Sequence, residues 1–293
     1  MKTRKNYLLL SICALALTSC SKTDDNPVAN NITLHFNNTF KNNTIILGDA
    51  TSPTATKNTS TEDQIHHFSE LKYVISNIRL LKIDGTEIPY NINDLDKGAT
   101  VVNQAKPQTL AYVLSNIPAG EYKQIKFGLG VKPELNTLDQ VRFPKFYGEA
   151  GANDTKMMWE WGAGYRFTKI EGFYGTDNKQ MSIHTGSTIE GSEDAPTQGV
   201  DAYRDITLAL STYALVGKNT PRITINADFD KLLSGKTNTI ILKSKTDDNN
   251  HNDDSNATPN TMSALQMVKF VDNLGGDGSS DLTGMFSVEN VEN

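Results

Sequence analysis

The chain has 293 residues, a formal charge of −6 and 37% hydrophobic residues. This length is enough for one large domain or two small ones. The acidic balance, without a cluster of lysines and arginines past the N-terminal segment, argues against nucleic acid or an anionic membrane surface as a partner.

The N-terminal segment has the pattern of a lipoprotein signal peptide. Lys2, Arg4 and Lys5 precede an apolar run over residues 7–17, which is too short to span a bilayer. The run ends in Leu-Thr-Ser-Cys, which resembles a bacterial lipobox. We therefore predict a signal peptide over residues 1–19, lipidation of Cys20 and a polar tether over residues 20–30, with an ordinary secretory signal and a chance cysteine as the alternative.

The predicted anchor places the protein at the outer membrane of a Gram-negative bacterium. Residues 21–26 (Ser-Lys-Thr-Asp-Asp-Asn) resemble a surface-export signal but also suit a plain tether, so both the periplasmic and the exposed side stay open. Cys13 is removed with the signal and Cys20 carries lipid. A disulfide is therefore excluded from the mature chain, and a transition metal must be bound by His, Met, carboxylate or backbone groups.

The rest of the chain reads as short strands separated by turns, which predicts one domain over residues 31–293. Apolar and polar residues alternate along several segments, and Asp84-Gly85 is a strong turn signal. The pattern predicts an all-β fold, a β-sandwich of antiparallel strands with long loops and at most one or two short helices. The predicted strands are residues 32–36, 71–81, 125–131, 180–184, 205–210 and 223–229.

Two polar segments and one helix complete this prediction. Residues 51–61 and 247–260 are rich in Asn, Asp, Ser and Thr, which is typical of solvated loops. Residues 262–274 predict a short amphipathic helix with Leu265, Val268 and Phe270 turned partly inward.

Both tryptophans of the chain, Trp159 and Trp161, lie in one segment between Met157 and a Gly-x-Gly bend. In an extended segment, side chains two residues apart share a face, so Met157, Trp159 and Trp161 would line up together. One interpretation is a strand that fills one side of a β-core. The other is a site that needs indole rings or thioether sulfur in a fixed place.

Histidines are the other candidates for chemistry, and the chain has five. Adjacent residues of a strand face opposite ways, so His66 and His67 form a poor chelate and are interpreted as surface residues. His251 falls in an acidic run without the pattern of a calcium loop. His35 and His184 lie inside predicted strands, opposite their apolar neighbours, and could meet to bind copper or zinc or stay apart as half-exposed residues.

Taken in order, these segments resemble the MbnP-like family of bacterial envelope proteins, which is related to the methanobactin-associated copper protein. The resemblance rests on a Trp-x-Trp-x-x-Gly-Tyr stretch followed by a downstream His-x-Gly. It also includes Glu171-Gly172 between these two motifs. The segments concerned are residues 71–80, 117–122, 127–131, 158–167 and 183–187.

The resemblance implies a β-rich envelope protein that binds copper. It implies His184 as the first ligand and His35 as the second, with Trp159 or Trp161 lining the site or oxidised to kynurenine by a di-haem MbnH-like enzyme. The leading hypothesis is therefore a lipid-anchored copper-binding protein that takes up, stores or delivers copper without catalysis.

Two other functional hypotheses stay open. The first is a surface lipoprotein in which Trp159, Trp161 and Tyr165 form an aromatic platform for a glycan or a protein. The second is a structural lipoprotein with a tryptophan-rich core strand. An enzyme is the least expected class, because the spacing of residues reveals neither a nucleophile–base pair nor an acid–base pair of carboxylates.

Overall fold

A computed structural model of the chain describes residues 30–136, 141–150, 156–159, 164–187, 189–192, 195–243, 264–276 and 284–293. The predicted signal peptide, the tether up to residue 29, Cys20, Trp161, His251 and the polar run 247–260 lie outside these residues. In the described part of the chain, no helix is long and apolar enough to cross a membrane.

Within these residues the chain is dominated by strands, with short helices between them. The strands are β1 (Ile32–Phe40), β2 (Asn43–Thr44), β3 (Asn58–Thr59), β4 (Ile65–Lys82), β5 (Glu87–Tyr90), β6 (Thr100–Asn103), β7 (Ala111–Leu114), β8 (Gly120–Leu129), β9 (Thr168–Tyr174), β10 (Lys179–Thr185), β11 (Ile189–Ser192), β12 (Ala195–Gln198), β13 (Arg204–Val216), β14 (Arg222–Asp228) and β15 (Phe286–Glu292). The α-helices are α1 (Leu95–Gly98), α2 (Pro144–Ala150) and α3 (Ala264–Gly275), and 3₁₀ turns lie at Pro107–Leu110 and Phe229–Leu232.

The strands form two main sheets that pack face to face as a sandwich, which confirms the predicted all-β class. The larger sheet has the order β10-β9-β4-β8-β13, with β3, β5 and β6 also paired to β4. The smaller sheet has the order β15-β14-β1-β2, with β7 also paired to β1. Among the strands that the structure describes, β1 and β14 run parallel and the other paired strands are antiparallel. A hairpin of β11 and β12 forms a separate ribbon.

The main core lies between the two sheets and is built by alternation along each strand. Leu34 and Phe36 of β1 face inward, and Phe36 meets Tyr73 of β4 edge to face with ring centroids 6.0 Å apart. Ile170 of β9 and Ile183 of β10 belong to the same cluster. Burial of this apolar surface supplies the main driving force for the fold.

A second apolar cluster covers the opposite, outer face of the larger sheet. Val74 of β4 and Phe167, just before β9, lie under Phe146 of α2, Tyr165 and Met267 of α3, all of them buried. The larger sheet is therefore covered on both faces over part of its area. This arrangement brings Met157 and Tyr165 onto the outer face, where Trp159 lies against His184 of β10.

The predicted strands are found in the structure with shifted ends: four are longer than predicted, whereas β8 ends at Leu129 and β14 at Asp228, before the predicted residues 131 and 229. Residues 71–81 form the second half of the long strand β4, and residues 223–229 correspond to β14. The turn predicted at Asp84-Gly85 is present, and Gly85 has a φ of +91°. The predicted C-terminal helix corresponds to α3, in which Phe270 is buried. In the loop predicted at residues 51–61, Asn58 and Thr59 pair with β4 as a short strand.

Candidate functional site

The two described parts of the tryptophan segment, residues 156–159 and 164–167, pair with each other through an antiparallel bridge between Met158 and Tyr165. Trp159 N–H donates to the carbonyl of Gly164 over 3.0 Å, and Arg166 N–H donates to the carbonyl of Met157 over 2.9 Å. Gly164 lies in the left-handed region with a φ of +77°, where a side chain would be strained. Tyr165 N–H donates to Asn136 Oδ1 over 2.8 Å, which ties this bend to a neighbouring loop.

The indole ring of Trp159 forms one side of the candidate site, and Trp159 is only 7% exposed. Its ring centroid lies 6.0 Å from that of His184, with the planes inclined at 56°. The guanidinium carbon of Arg166 lies 4.6 Å from the indole centroid, a cation–π contact. Gly186 makes the close approach possible, because a Cβ at that position would lie 2.7 Å from Trp159 Nε1.

The predicted aromatic platform is wrong for Trp159 and Tyr165, the two of its three rings that the structure describes. Trp159 is 7% exposed and Tyr165 is 1% exposed, so neither offers a face for stacking on a sugar or a partner. Both rings pack against other side chains: Tyr165 contacts Phe146 with ring centroids 5.0 Å apart, and Trp159 contacts His184. Met157 and Trp159 are buried and Met158 between them is partly exposed, an alternation that agrees with an extended segment. The place of Trp161 lies outside the described residues.

His184 lies on β10 with its side chain on the outer face of the sheet, 14% exposed. Its Nε2 lies 3.0 Å from Oε1 of Glu171 on β9 and 3.1 Å from Oγ of Ser182 on the same strand. The hydrogen bond from His184, with a smaller contribution from Lys169, lowers the pKa of Glu171 to about 2. Glu171 is therefore a carboxylate at any neutral or mildly acidic pH.

His184 and Glu171 each belong to a row of polar side chains that runs across β4, β9 and β10. We call these two rows the polar ladder. Each row takes one residue from each strand, because the register places them directly opposite one another. The first row is Lys72, Lys169 and His184, and the second row is Glu70, Glu171 and Ser182.

The lysines of the ladder are buried, its glutamates are partly exposed, and its charges are paired. Lys169 Nζ lies 2.6 Å from Glu70 Oε2 and 3.3 Å from Glu171 Oε1. Lys72 is also paired with Glu70. Both lysine side chains are 8% exposed, so pairing is required to offset the cost of removing their charges from water.

His35 does not join this site. It lies on β1 in the smaller sheet, and its side chain is on the outer face, opposite Leu34 and Phe36. His184 lies on the outer face of the other sheet, so the whole core separates the two imidazoles. The predicted joint site of His35 and His184 is therefore not formed. Burial, and next the nearby Arg222 guanidinium, lower the pKa of His35.

The prediction that His66 and His67 are surface residues is wrong. Strand β4 begins at Ile65, so both lie within a paired strand and are 1% and 2% exposed. His66 faces the core, with its ring 5.3 Å from that of Phe40. Burial lowers the pKa of His66 to about 4, and its Nε2 has no hydrogen-bond partner among the described residues. His67 packs on Phe173 on the other face.

Sequence reasoning missed the polar ladder. The signal was present, because Glu70 and Lys72 alternate with Leu71 and Tyr73, and Lys169 and Glu171 flank Ile170. Charged residues at alternate positions usually face water, so the pattern does not distinguish an exposed face from a covered one. Tertiary packing decides that: Lys72 and Lys169 are buried, and Trp159 lies against His184. Among the described residues, no group of three or more His, Cys, Asp or Glu side chains could hold a metal ion.

Comparison with known proteins now identifies the family. The model of the MbnP family matches residues 29–260. A solved structure, MbnP from Methylosinus trichosporium, is similar with 13% identity and a TM-score of 0.46, over 71% of this chain and 79% of that one. The search of curated proteins returned no match. Because the family model matches well over half of the sequence, the chain belongs to the MbnP family.

Proposed function

We propose that this protein is a lipid-anchored, copper-associated protein of the bacterial envelope that takes up, stores or delivers copper and catalyses no reaction. Membership of the MbnP family supports the link to copper. The observation that carries the proposal is the contact of His184 with Trp159 and Glu171 on the outer face of the larger sheet. It brings the His-x-Gly motif and the tryptophan segment, far apart in sequence, to one place.

The donor chemistry at this place fits copper in part. Imidazole nitrogen suits copper, whereas calcium and magnesium prefer sites made of oxygen alone. His184 supplies the imidazole and Glu171 the nearest carboxylate, but Glu171 is already paired with Lys169. His184 is therefore the residue that would hold the ion, and a full ligand set needs further donors. When bound, copper would supply one-electron redox chemistry or serve as the cargo itself.

Trp159 would line this site and exclude water from one side of His184. Its indole N–H is a donor and cannot ligate a metal, whereas a kynurenine made from it would carry a ketone and an arylamine. We propose that a di-haem MbnH-like partner oxidises Trp159 or Trp161, and that the resulting kynurenine adds a metal ligand to the site.

The metal assignment is tested by copper binding to the full-length protein purified in detergent. We expect the wild type to bind copper in competition with a chelator, and His184→Ala to lose that binding. His35→Ala is the matched control, because it removes a strand histidine from the opposite sheet and should leave the affinity unchanged. Equal affinity of wild type and His184→Ala would contradict the site, and loss of binding in His35→Ala would restore His35 as a ligand.

The anchor and the tryptophan chemistry are tested by the intact mass of protein from its native host. Acylated Cys20 and loss of residues 1–19 support the envelope anchor. A mass increment of kynurenine, mapped by peptide fragmentation to Trp159 or Trp161, supports the oxidation. An unprocessed N-terminus would refute the anchor, and two unmodified indoles would refute oxidation while leaving the role of His184 to the binding experiment.

A further inference from the structure

We propose that the end of the sandwich at which the tether joins the domain contacts the lipid bilayer that holds the acyl chains of Cys20. This inference rests on the lipid anchor of the proposed function and deepens it. It assigns the surface that contacts lipid and the orientation of the candidate site above the bilayer.

Strand pairing places the start of the described chain at one end of the smaller sheet. The carbonyl of Asn30 accepts from Ile117 N–H over 2.8 Å, in the connection between β7 and β8. Thr33 of β1 lies opposite Val113 on one side and Arg222 on the other. We call this part of the molecule the tether end. It consists of Asn30 and of residues 82–86, 113–121, 213–222 and 290–293.

The larger sheet reaches the same end. Strand β4 ends at Lys82, and the next residue, Ile83, donates its N–H to the carbonyl of Glu121 over 3.1 Å. Glu121 pairs with Leu215 of β13. Leu215 N–H donates to Oδ1 of Asn293, the residue after β15, over 2.7 Å. The ends of both sheets are therefore in contact beside the start of the tether.

The length of the tether favours this end over the opposite one. Residues 20–29 separate Cys20 from Asn30, and ten extended residues span at most about 35 Å. If the opposite end faced the lipid, the tether would have to run back along β1, whose nine residues span about 30 Å. Almost the whole tether would be used in that way, whereas the tether end can meet the bilayer without extending it.

Large apolar side chains are exposed at the tether end. Ile83, Val113 and Tyr213 are 46%, 48% and 49% exposed, and they make up half of the six such residues in the part of the chain that the structure describes. Apolar side chains gain free energy when lipid replaces water around them, and tyrosine is favoured where hydrocarbon meets head groups. Because the anchor brings these side chains to a bilayer, they can add contacts to those of the acyl chains.

Two cations at the same end are available for lipid phosphates. Lys218 and Arg222 form no ion pair with another described residue, whereas the nearby Glu292 carboxylate accepts from Asn290 Nδ2 over 3.1 Å. Long cationic side chains keep their charge among the head groups while their stems lie along apolar surface. The chain as a whole is acidic, so the anchor and not the net charge brings this end to the bilayer. An open cavity of about 450 Å³ lies here, lined by Lys218, Asn219, Thr220, Arg222, Glu292 and Asn293.

This orientation holds the candidate site away from the lipid. His184 lies in register with Lys169, which in turn lies opposite Lys72 of β4. Strand β4 continues from Lys72 to Lys82 at the tether end, a rise of about 30 Å. The contact of His184 with Trp159 would therefore stand about 30 Å above the head groups, on the aqueous side.

The test measures how near each end lies to lipid in the acylated protein, reconstituted into vesicles of phosphatidylethanolamine with a minor share of phosphatidylglycerol. A fluorophore is attached to a single introduced cysteine, and lipids with a nitroxide on the head group quench it at short range. Ile83→Cys and Tyr213→Cys place the label at the tether end. Lipidation occupies the thiol of Cys20 and Cys13 is removed with the signal peptide, so the introduced cysteine is the one that reacts.

The opposite end supplies the controls. Ile65→Cys is matched to Ile83→Cys, because Ile65 is the first residue of β4 and is 41% exposed. Ile46→Cys adds a second position, just after β2, which pairs with the far end of β1. We expect the nitroxide lipids to remove most of the fluorescence at residues 83 and 213 and little of it at residues 46 and 65.

A second measurement tests the two cations. In the Tyr213→Cys protein, Lys218→Gln together with Arg222→Gln should weaken the quenching at residue 213. Lys57→Gln together with Lys236→Gln is the matched control, because it removes two exposed lysines from the opposite end and should leave the quenching unchanged. Equal quenching in the two double variants would refute the role of the cations.

The outcomes separate this orientation from the anchor. Equal quenching at both ends, or stronger quenching at residues 46 and 65, overturns the orientation. Labels at residues 83 and 213 that are shielded from a water-soluble quencher but not quenched by the lipid would assign the tether end to a protein partner, which also overturns it. The intact mass of the same sample reports acylation of Cys20: an unacylated protein refutes the anchor and the orientation together, and an acylated protein with equal quenching refutes the orientation alone. Copper binding by His184 is decided separately by its own experiment.

Discussion

His66 should make the stability of this protein depend on pH between neutrality and pH 4. The folded protein keeps the imidazole neutral, with a pKa lowered to about 4 by burial, whereas in the unfolded chain the pKa is near 6.5. Between these values the unfolded chain binds more protons, so the free energy of unfolding falls as the pH falls. A tenfold difference in proton affinity is worth about 1.4 kcal/mol, so the loss by pH 4 amounts to about 3 kcal/mol.

Replacing His66 by leucine should remove this dependence at little cost at pH 7. The lost hydrogen bond joins His66 Nδ1 to the Gln64 carbonyl over 3.2 Å, and that carbonyl still accepts from Ser60 N–H over 3.0 Å. The leucine would pack against Phe40 and Phe68, which now flank the imidazole. We therefore expect a change of less than about 1.5 kcal/mol at pH 7.

The assay is urea denaturation of wild type and His66→Leu at pH 7, 5.5 and 4, with the free energy of unfolding taken at each pH. The difference between the two proteins should shift by about 3 kcal/mol in favour of His66→Leu on going to pH 4. Phe68→Leu is the control, because it alters packing in the same cluster and keeps His66. Its free energy of unfolding should differ from that of the wild type by the same amount at each pH. Parallel losses for wild type and His66→Leu would refute the reasoning.

Two further substitutions test the packing around the site and in the core. Gly186→Ala should destabilise the protein by about 1–3 kcal/mol and alter the tryptophan fluorescence, because its methyl group would press on Trp159; Gly148→Ala, with open space around its Cβ, is the control. A wild-type spectrum and stability for Gly186→Ala would contradict the close approach. Phe229→Ala should cost about 3–5 kcal/mol, since Phe229 is fully buried between two aromatic core residues, whereas Val113→Ala on an exposed position should cost little. Equal denaturation midpoints for these two variants would argue against this core.

Much of the fold could be predicted because alternation is a local property of each strand. Residues 223–229 alternate apolar and polar, and β14 follows with its apolar side chains in the core. The pairing partners of each strand could not be predicted from the sequence, because the hydrogen bonds of a sheet join residues distant in sequence. The parallel pairing of β1 with β14, across about 190 residues, is an example.

The candidate site was predicted in part. The tryptophan segment and His184 were chosen from their types and from the family resemblance, and the structure brings Trp159 and His184 together. His35 was chosen on the same grounds but lies on the opposite sheet. His66 and His67 were interpreted as surface residues because adjacent strand residues face opposite ways, but both faces of β4 are covered at this point and the strand begins before the predicted residue 71.

The sequence by itself determined the class of the fold, the family, and which face of each main strand is apolar. These follow from periodicity and motifs, which are carried by neighbouring residues along one chain. The tertiary structure decided which histidine meets Trp159 and which glutamate lies within hydrogen-bond distance of that histidine. It also decided that Lys72 of β4 and Lys169 of β9 are buried, because only packing of one element on another sets the distances and the exposure of side chains to water.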